Sequence, residues 1–218
     1  MIHKIMNINS LTEEMIAKYF PMLTELRQKK ISLMGNFDDR RIALCSEILA
    51  RQCLSQLCDA PEFAFELLCN PNGKSVVGNF NAKLCIVKSG NVVGCAVSQV
   101  NIGMGLVELI PFSFYSAQNI FTDTEIRCIF SESKYSFAEL IKMSECTEKT
   151  VINKYAVMKS LKDAHFYASG RGIRSEVKNI TFEISDNKIL CSDAESEIRC
   201  SFIEQNNNVA VSVIERSK

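Results

Sequence analysis

Histidine is scarce in this chain of 218 residues, and the scarcity removes a large class of sites at once. Only His3 and His165 occur, and neither has a second His or a Cys at ligand spacing, so the sequence offers no zinc site. Net charge is also missing: 25 Lys and Arg balance 25 Asp and Glu. Broad binding to nucleic acid or to an anionic membrane needs a net basic face and is not expected, which leaves room only for a local basic pocket. No window approaches the roughly 18 uncharged apolar residues of a membrane span. The opening stretch MIHKIMNINSLTEEMIAKYF lacks the continuous apolar core of a signal peptide, because Lys4, Glu13, Glu14 and Lys18 interrupt it.

Familiar catalytic signatures are absent as well. Gly103-Met104-Gly105 and Gly170-Arg171-Gly172 do not complete a G-x-G-x-x-G between strand and helix, and neither is a Walker A loop. No Ser-His-Asp elbow, paired-carboxylate signature or zinc-deaminase pattern occurs. Cysteine is the exception to this sparseness, with ten residues, none in a CxxC and most inside apolar runs. With no secretion signal they read as reduced core thiols of a cytoplasmic protein.

What is present is the patterning of an α+β protein. A segment over 11–30 ends in the basic run RQKK. DDRRIALCSEILARQCLSQL, 38–57, carries Ile42, Leu44, Cys45, Ile48, Leu49, Cys53 and Leu54 in a helical stripe, with Asp38 and Asp39 at the positive end of its dipole. CNPNGKS at 69–75 is a turn cluster. Strands are expected near 76–80, 83–88, 91–98 and 102–110, with Gly90-Asn91 turning one hairpin. A second helical region opens at 121–125, and a longer helix over about 150–168 stops at Gly170, a natural C-terminal cap. Its Lys159, Asp163 and Tyr167 share one line at i, i+4 and i+8, which read from residues alone is a solvated Lys–Asp face. The tail alternates as strands from VKNITFEIS onward, with Ile180, Phe182 and Ile184 on one face and a turn at Asp186-Asn187. Helices first and a meander second, twice over, divides the chain into an N-terminal half, 1–110, and a C-terminal half, 111–218.

This order of pieces resembles the 4′-phosphopantetheinyl transferases, in the longer, surfactin-synthetase-activating type, over nearly the whole chain from residue 37. The resemblance implies two similar halves packed as a pseudo-dimer. It also implies a reaction, transfer of the phosphopantetheine arm of coenzyme A to a serine of an acyl or peptidyl carrier protein with Mg²⁺. The family's G-K-P looks like Gly73-Lys74-Ser75, its arginine at a helix start like Arg41, and its S-H-S-G hairpin like Val87-Lys88-Ser89-Gly90. Arg41, Lys74, Lys88 and Ser89 are thereby the candidate coenzyme A contacts, with Lys88 in place of a histidine.

Here the metal motifs depart from the family. Its strand G-(I/V)-D-(I/V)-E aligns with Gly103-Met104-Gly105-Leu106-Val107, which carries neither acid. Its helix motif (W/F)-(S/T)-x-K-E-(A/S)-x-x-K aligns with 159–167, where Lys162 keeps the lysine, Asp163 shortens the glutamate and Tyr167 replaces the last lysine. Lys162 and Asp163 are the candidate catalytic pair and Asp163 the one candidate metal ligand, holding Mg²⁺ weakly or not at all. Losing one preorganised electrostatic group costs about 10²–10³ in rate. The reading is a degenerate transferase with weakened or lost activity. The alternatives are an active transferase with a rebuilt metal site and an interaction or structural protein without a ligand.

Overall fold

A computed structural model describes residues 1–69, 75–170, 177–185, 188–192, 198–206 and 208–216. The chain is α+β and divides into two compact units, Met1–Ile102 and Gly103–Lys218.

The first unit runs β1 (Ile2–Asn7), α1 (Glu13–Tyr19), α2 (Glu25–Ser32), α3 (Phe37–Cys58), β2 (Leu67–Cys69), β3 (Ser75–Val77), β4 (Lys83–Ser89) and β5 (Val92–Ser98). Helix α3 begins where the sequence places it, with the Asn36 side chain accepting the Asp38 N–H, and it ends at Asp59 in the left-handed region, φ 49°. Its stripe of Leu44, Cys45, Ile48, Leu49, Cys53 and Leu54 is buried in one core with Val93, Cys95 and Val97 of β5. The antiparallel sheet is ordered β1-β5-β4. The β4–β5 hairpin turns at Gly90-Asn91 as expected, with Gly90 at φ 50°, the first central position where a two-residue turn favours glycine. Strand β1 has no counterpart in the sequence reading. IHKIMN lacks strict alternation, and pairing with β5 along its whole length makes it a strand.

β6 (Asn101–Glu108) crosses between the units and is followed by α4 (Phe114–Ile120), α5 (Asp123–Ile129), α6 (Phe137–Leu140), α7 (Lys149–Ser169), β7 (Phe182–Ser185), β8 (Lys188–Cys191), β9 (Ile198–Asn206) and β10 (Val209–Arg216). The expected boundary after residue 110 moves to 102/103, because β6 joins the sheet β6-β10-β9 rather than continuing the first unit's meander. Helix α7 stops as predicted, Gly170 lying at φ 71° with its N–H on the Phe166 carbonyl. In the tail, β7 pairs with β8, while the turn expected at 186–187 lies outside the described residues. Ile180 and Phe182 are buried but Ile184 is 42 % exposed, so the expected common face ends at Phe182.

No helix among the described residues is long and apolar enough to cross a membrane. Among the described residues the cysteines are mostly core thiols. Cys45, Cys53, Cys85, Cys95 and Cys146 are buried and unbridged, Cys58 and Cys191 are half-buried, and Cys128 is exposed.

Candidate functional site

The stretch Gly103–Val107, where the resemblance places two metal carboxylates, lies in close contact with α7. Alternation turns Gly103, Gly105 and Val107 to one face of β6, and that face meets the row Ala156, Ser160, Ala164 and Ala168 of α7. These four are spaced by four residues and form one line along the helix. A Cβ on Gly105 would fall on the Ser160 carbonyl and lie 2.8 Å from the Ser160 Cα. One on Gly103 would strike the Ala164 carbonyl group, 2.9 Å from its carbon. The obstructing atoms are main chain, so they cannot swing aside. Glycine is required here by close approach of helix to strand, and an aspartate at 105 has no space to occupy.

The two acidic or basic candidates on α7 are adjacent in sequence but belong to different environments. Lys162 is 1 % exposed. Its Nζ lies 2.9 Å from Glu125 Oε2, donates to the Ile180 carbonyl at 2.7 Å and sits over the Phe121 ring. Glu125 also closes a capping box at the start of α5 with Thr122 and accepts the Phe182 N–H at 2.9 Å on its other oxygen. One carboxylate therefore joins α5, α7 and the entry to β7. Burial pushes the Lys162 ammonium below its ordinary pKa, opposed by the Glu125 charge. Lys162, expected as catalytic, is a buried cation held by Glu125 and the Ile180 carbonyl.

Asp163 pairs with Lys159 at 2.7 Å, the i, i+4 contact read from the sequence. Burial raises its carboxyl above the ordinary value, and Lys159 only partly offsets this. The residues present do not fit the Mg²⁺ that the family resemblance implies. Position 105 cannot hold a side chain, Val107 offers no oxygen ligand, and Asp163 already holds an ammonium. Among the described residues no group of three or more His, Cys, Asp or Glu side chains is placed to hold a metal ion.

The remaining candidates belong to the first unit. Arg41 donates from Nε to the Ile8 carbonyl at 2.9 Å and from Nη2 to the Leu11 carbonyl at 3.2 Å, and its guanidinium lies 5.3 Å from the Phe37 ring centroid. The Ile8 N–H in turn donates to the Asn91 carbonyl at 2.8 Å. Ile8 thus ties Arg41 to the turn that carries Lys88 and Ser89. Lys88 is exposed and Ser89 half-buried at the end of β4. Lys74 lies outside the described residues. The structure brings Arg41 and the hairpin tip together through one bridging residue.

A cavity of about 220 Å³ in the first unit contains none of the described candidates. Arg27, Glu47, Arg51 and Phe65 are among its walls. Arg27 pairs with Glu47 at 2.8 Å, and the Arg51 guanidinium donates to the carbonyls of Met22, Glu62 and Phe65. These charged groups brace main chain against α3. Sequence reasoning passed over both Glu125 and Arg51. Thr122-x-x-Glu125 is a visible capping box, whereas the partners of Arg51 are main-chain carbonyls that no side-chain pattern marks. No family model matches this chain, and no curated protein matches it significantly in sequence.

Proposed function

We propose that this chain is a phosphopantetheinyl-transferase-like protein of the cytoplasm that binds coenzyme A, or a carrier protein bearing its arm, without metal-dependent transfer. The observation that carries the reading is the main-chain seat of β6 on α7. It fills the place where the resemblance puts two of three metal carboxylates, while Asp163, the third, is paired with Lys159. Recognition then falls to Arg41, Lys88 and Ser89, with a cation on an exposed hairpin suited to a phosphate as a point charge. The pseudo-dimer of similar halves belongs to the same proposal, supported by one long helix on a three-stranded sheet in each unit.

The test is a calorimetric titration of coenzyme A with and without Mg²⁺, alongside mass spectrometry of several apo carrier proteins incubated with both. Binding indifferent to Mg²⁺, weakened in Lys88→Ala, with no added phosphopantetheine mass, is the expected result. Mg²⁺-strengthened binding with added mass would make the chain an active transferase with a rebuilt site. No binding of coenzyme A or of any carrier protein would leave an interaction protein without ligand memory.

A further inference from the structure

Helix α2 and its C-cap turn two leucines outward. Its inward contacts are Ile31, 2 % exposed, the Arg27–Glu47 ion pair, and Gln28, which donates to the Leu23 carbonyl at 2.9 Å. Leu26 is 80 % exposed and Leu33, at the C-cap, 73 %. Lys29 and Lys30 are exposed between them. Positions 26, 29, 30 and 33 stand at i, i+3, i+4 and i+7, so they form one continuous face about 10 Å long. Single exposed leucines are ordinary on protein surfaces. Two of them one heptad apart, in phase with two lysines, make a seam with the geometry of a helix-pairing surface.

We propose that this ridge docks an acidic amphipathic helix of a partner protein. The leucines offer the apolar contact. The lysine stems extend that contact and carry their ammonium groups to its edge, where partner carboxylates would meet them. A second copy of this chain is a poor occupant, since pairing α2 with itself sets lysines against lysines. Two turns of helix bury little area, so the complex is weak, quickly exchanging and salt-sensitive. The inference stands independently of the coenzyme A reading.

The probe is a fluorescein-labelled, stapled helical peptide with leucines a heptad apart flanked by glutamates. Its binding to the full chain is followed by fluorescence anisotropy, beside the same peptide with lysines for glutamates and beside vesicles of mixed phosphatidylserine and phosphatidylcholine. The acidic peptide should bind at least about tenfold more tightly than the basic one, and lose affinity as salt rises to about 0.3 M. Leu26→Ser with Leu33→Ser should abolish binding while leaving the thermal midpoint within a few degrees, both side chains being exposed. Lys29→Glu with Lys30→Glu should reverse the preference toward the basic peptide. Equal binding of both peptides, no binding, binding to vesicles alone, or dimerisation removed by the double serine variant would each overturn the proposal.

Discussion

Helices α3 and α7 differ in length by one residue, 22 against 21, yet they meet their sheets in opposite ways. Helix α3 packs side chain on side chain: Leu44, Ile48, Leu49 and Leu54 share a core with Val93, Cys95 and Val97. Helix α7 meets β6 with Ser160, Ala164 and Ala168 on glycines, so main chain rests on main chain. The first kind of contact is made of rotamers and can repack. The second has no rotamer to move. A contact of that kind also leaves no volume for a carboxylate, a metal or a phosphate, which is why the glycines bear on function as well as on packing.

The largest effect should come from adding side chain to that contact. Gly105→Ala is expected to cost about 3 kcal/mol or more, since the obstruction is a carbonyl rather than a flexible tip, and Gly105→Asp should abolish folding by adding a buried unpaired charge. Ile48→Val, a comparable volume change in α3, should cost about 1 kcal/mol. Urea unfolding of the three variants measures the contrast. Gly105→Ala with wild-type stability would show slack between β6 and α7 and would reopen the site to an acidic ligand.

Next in size is the anchor that holds α7 through Lys162. Glu125→Ala leaves that ammonium buried without its counter-ion and should cost about 3–5 kcal/mol. Glu125→Leu combined with Lys162→Met should recover much of this, since the pair is replaced by apolar groups of similar size. A double variant no better than Glu125→Ala would mean that the bonds from Glu125 to Thr122 and Phe182 matter more than the charge pair.

The smallest effect belongs to Asp163. Its folded carboxyl binds its proton more tightly than the unfolded one, so between the ordinary 3.8 and the raised value the folded state holds more protons. Stability from this group therefore falls as pH rises through that window. Asp163→Asn should gain on wild type as pH rises through it and keep a small advantage at neutrality, read as the difference in thermal midpoint across pH. A wild type that gains stability from Mg²⁺ while the variant does not would assign Asp163 to a metal after all.

Much of this arrangement was legible in the sequence. The stripe of α3, the stop of α7 at Gly170, the Gly90 hairpin and the Lys159–Asp163 pair are all local, decided within one or two turns of chain. The misses are long-range. Whether β6 joined β5 or β10 depended on a strand a hundred residues on, and Glu125 meets Phe182 across 57 positions. The reason for Gly103 and Gly105 was half visible, because Ala156, Ser160, Ala164 and Ala168 form a small-residue row in the sequence. Comparison with an acidic family strand pointed to missing carboxylates, and the row went unread until α7 and β6 were seen together. Only the juxtaposition of strand and helix decides between missing carboxylates and a close approach.

The buried thiols give the molecule a one-way character on heating. Burial pushes Cys45 up to about 11, which leaves about one thiolate in ten thousand at neutral pH, whereas an unfolded cysteine near 8.5 ionises to a few per cent. The Cys45 thiol is therefore dormant in the folded state, and unfolding exposes it together with the buried Cys53, Cys85, Cys95 and Cys146. In air they would couple at random, and mispaired bridges would block return. Without a reductant, the lifetime of this protein at high temperature is set by the rate at which it first opens.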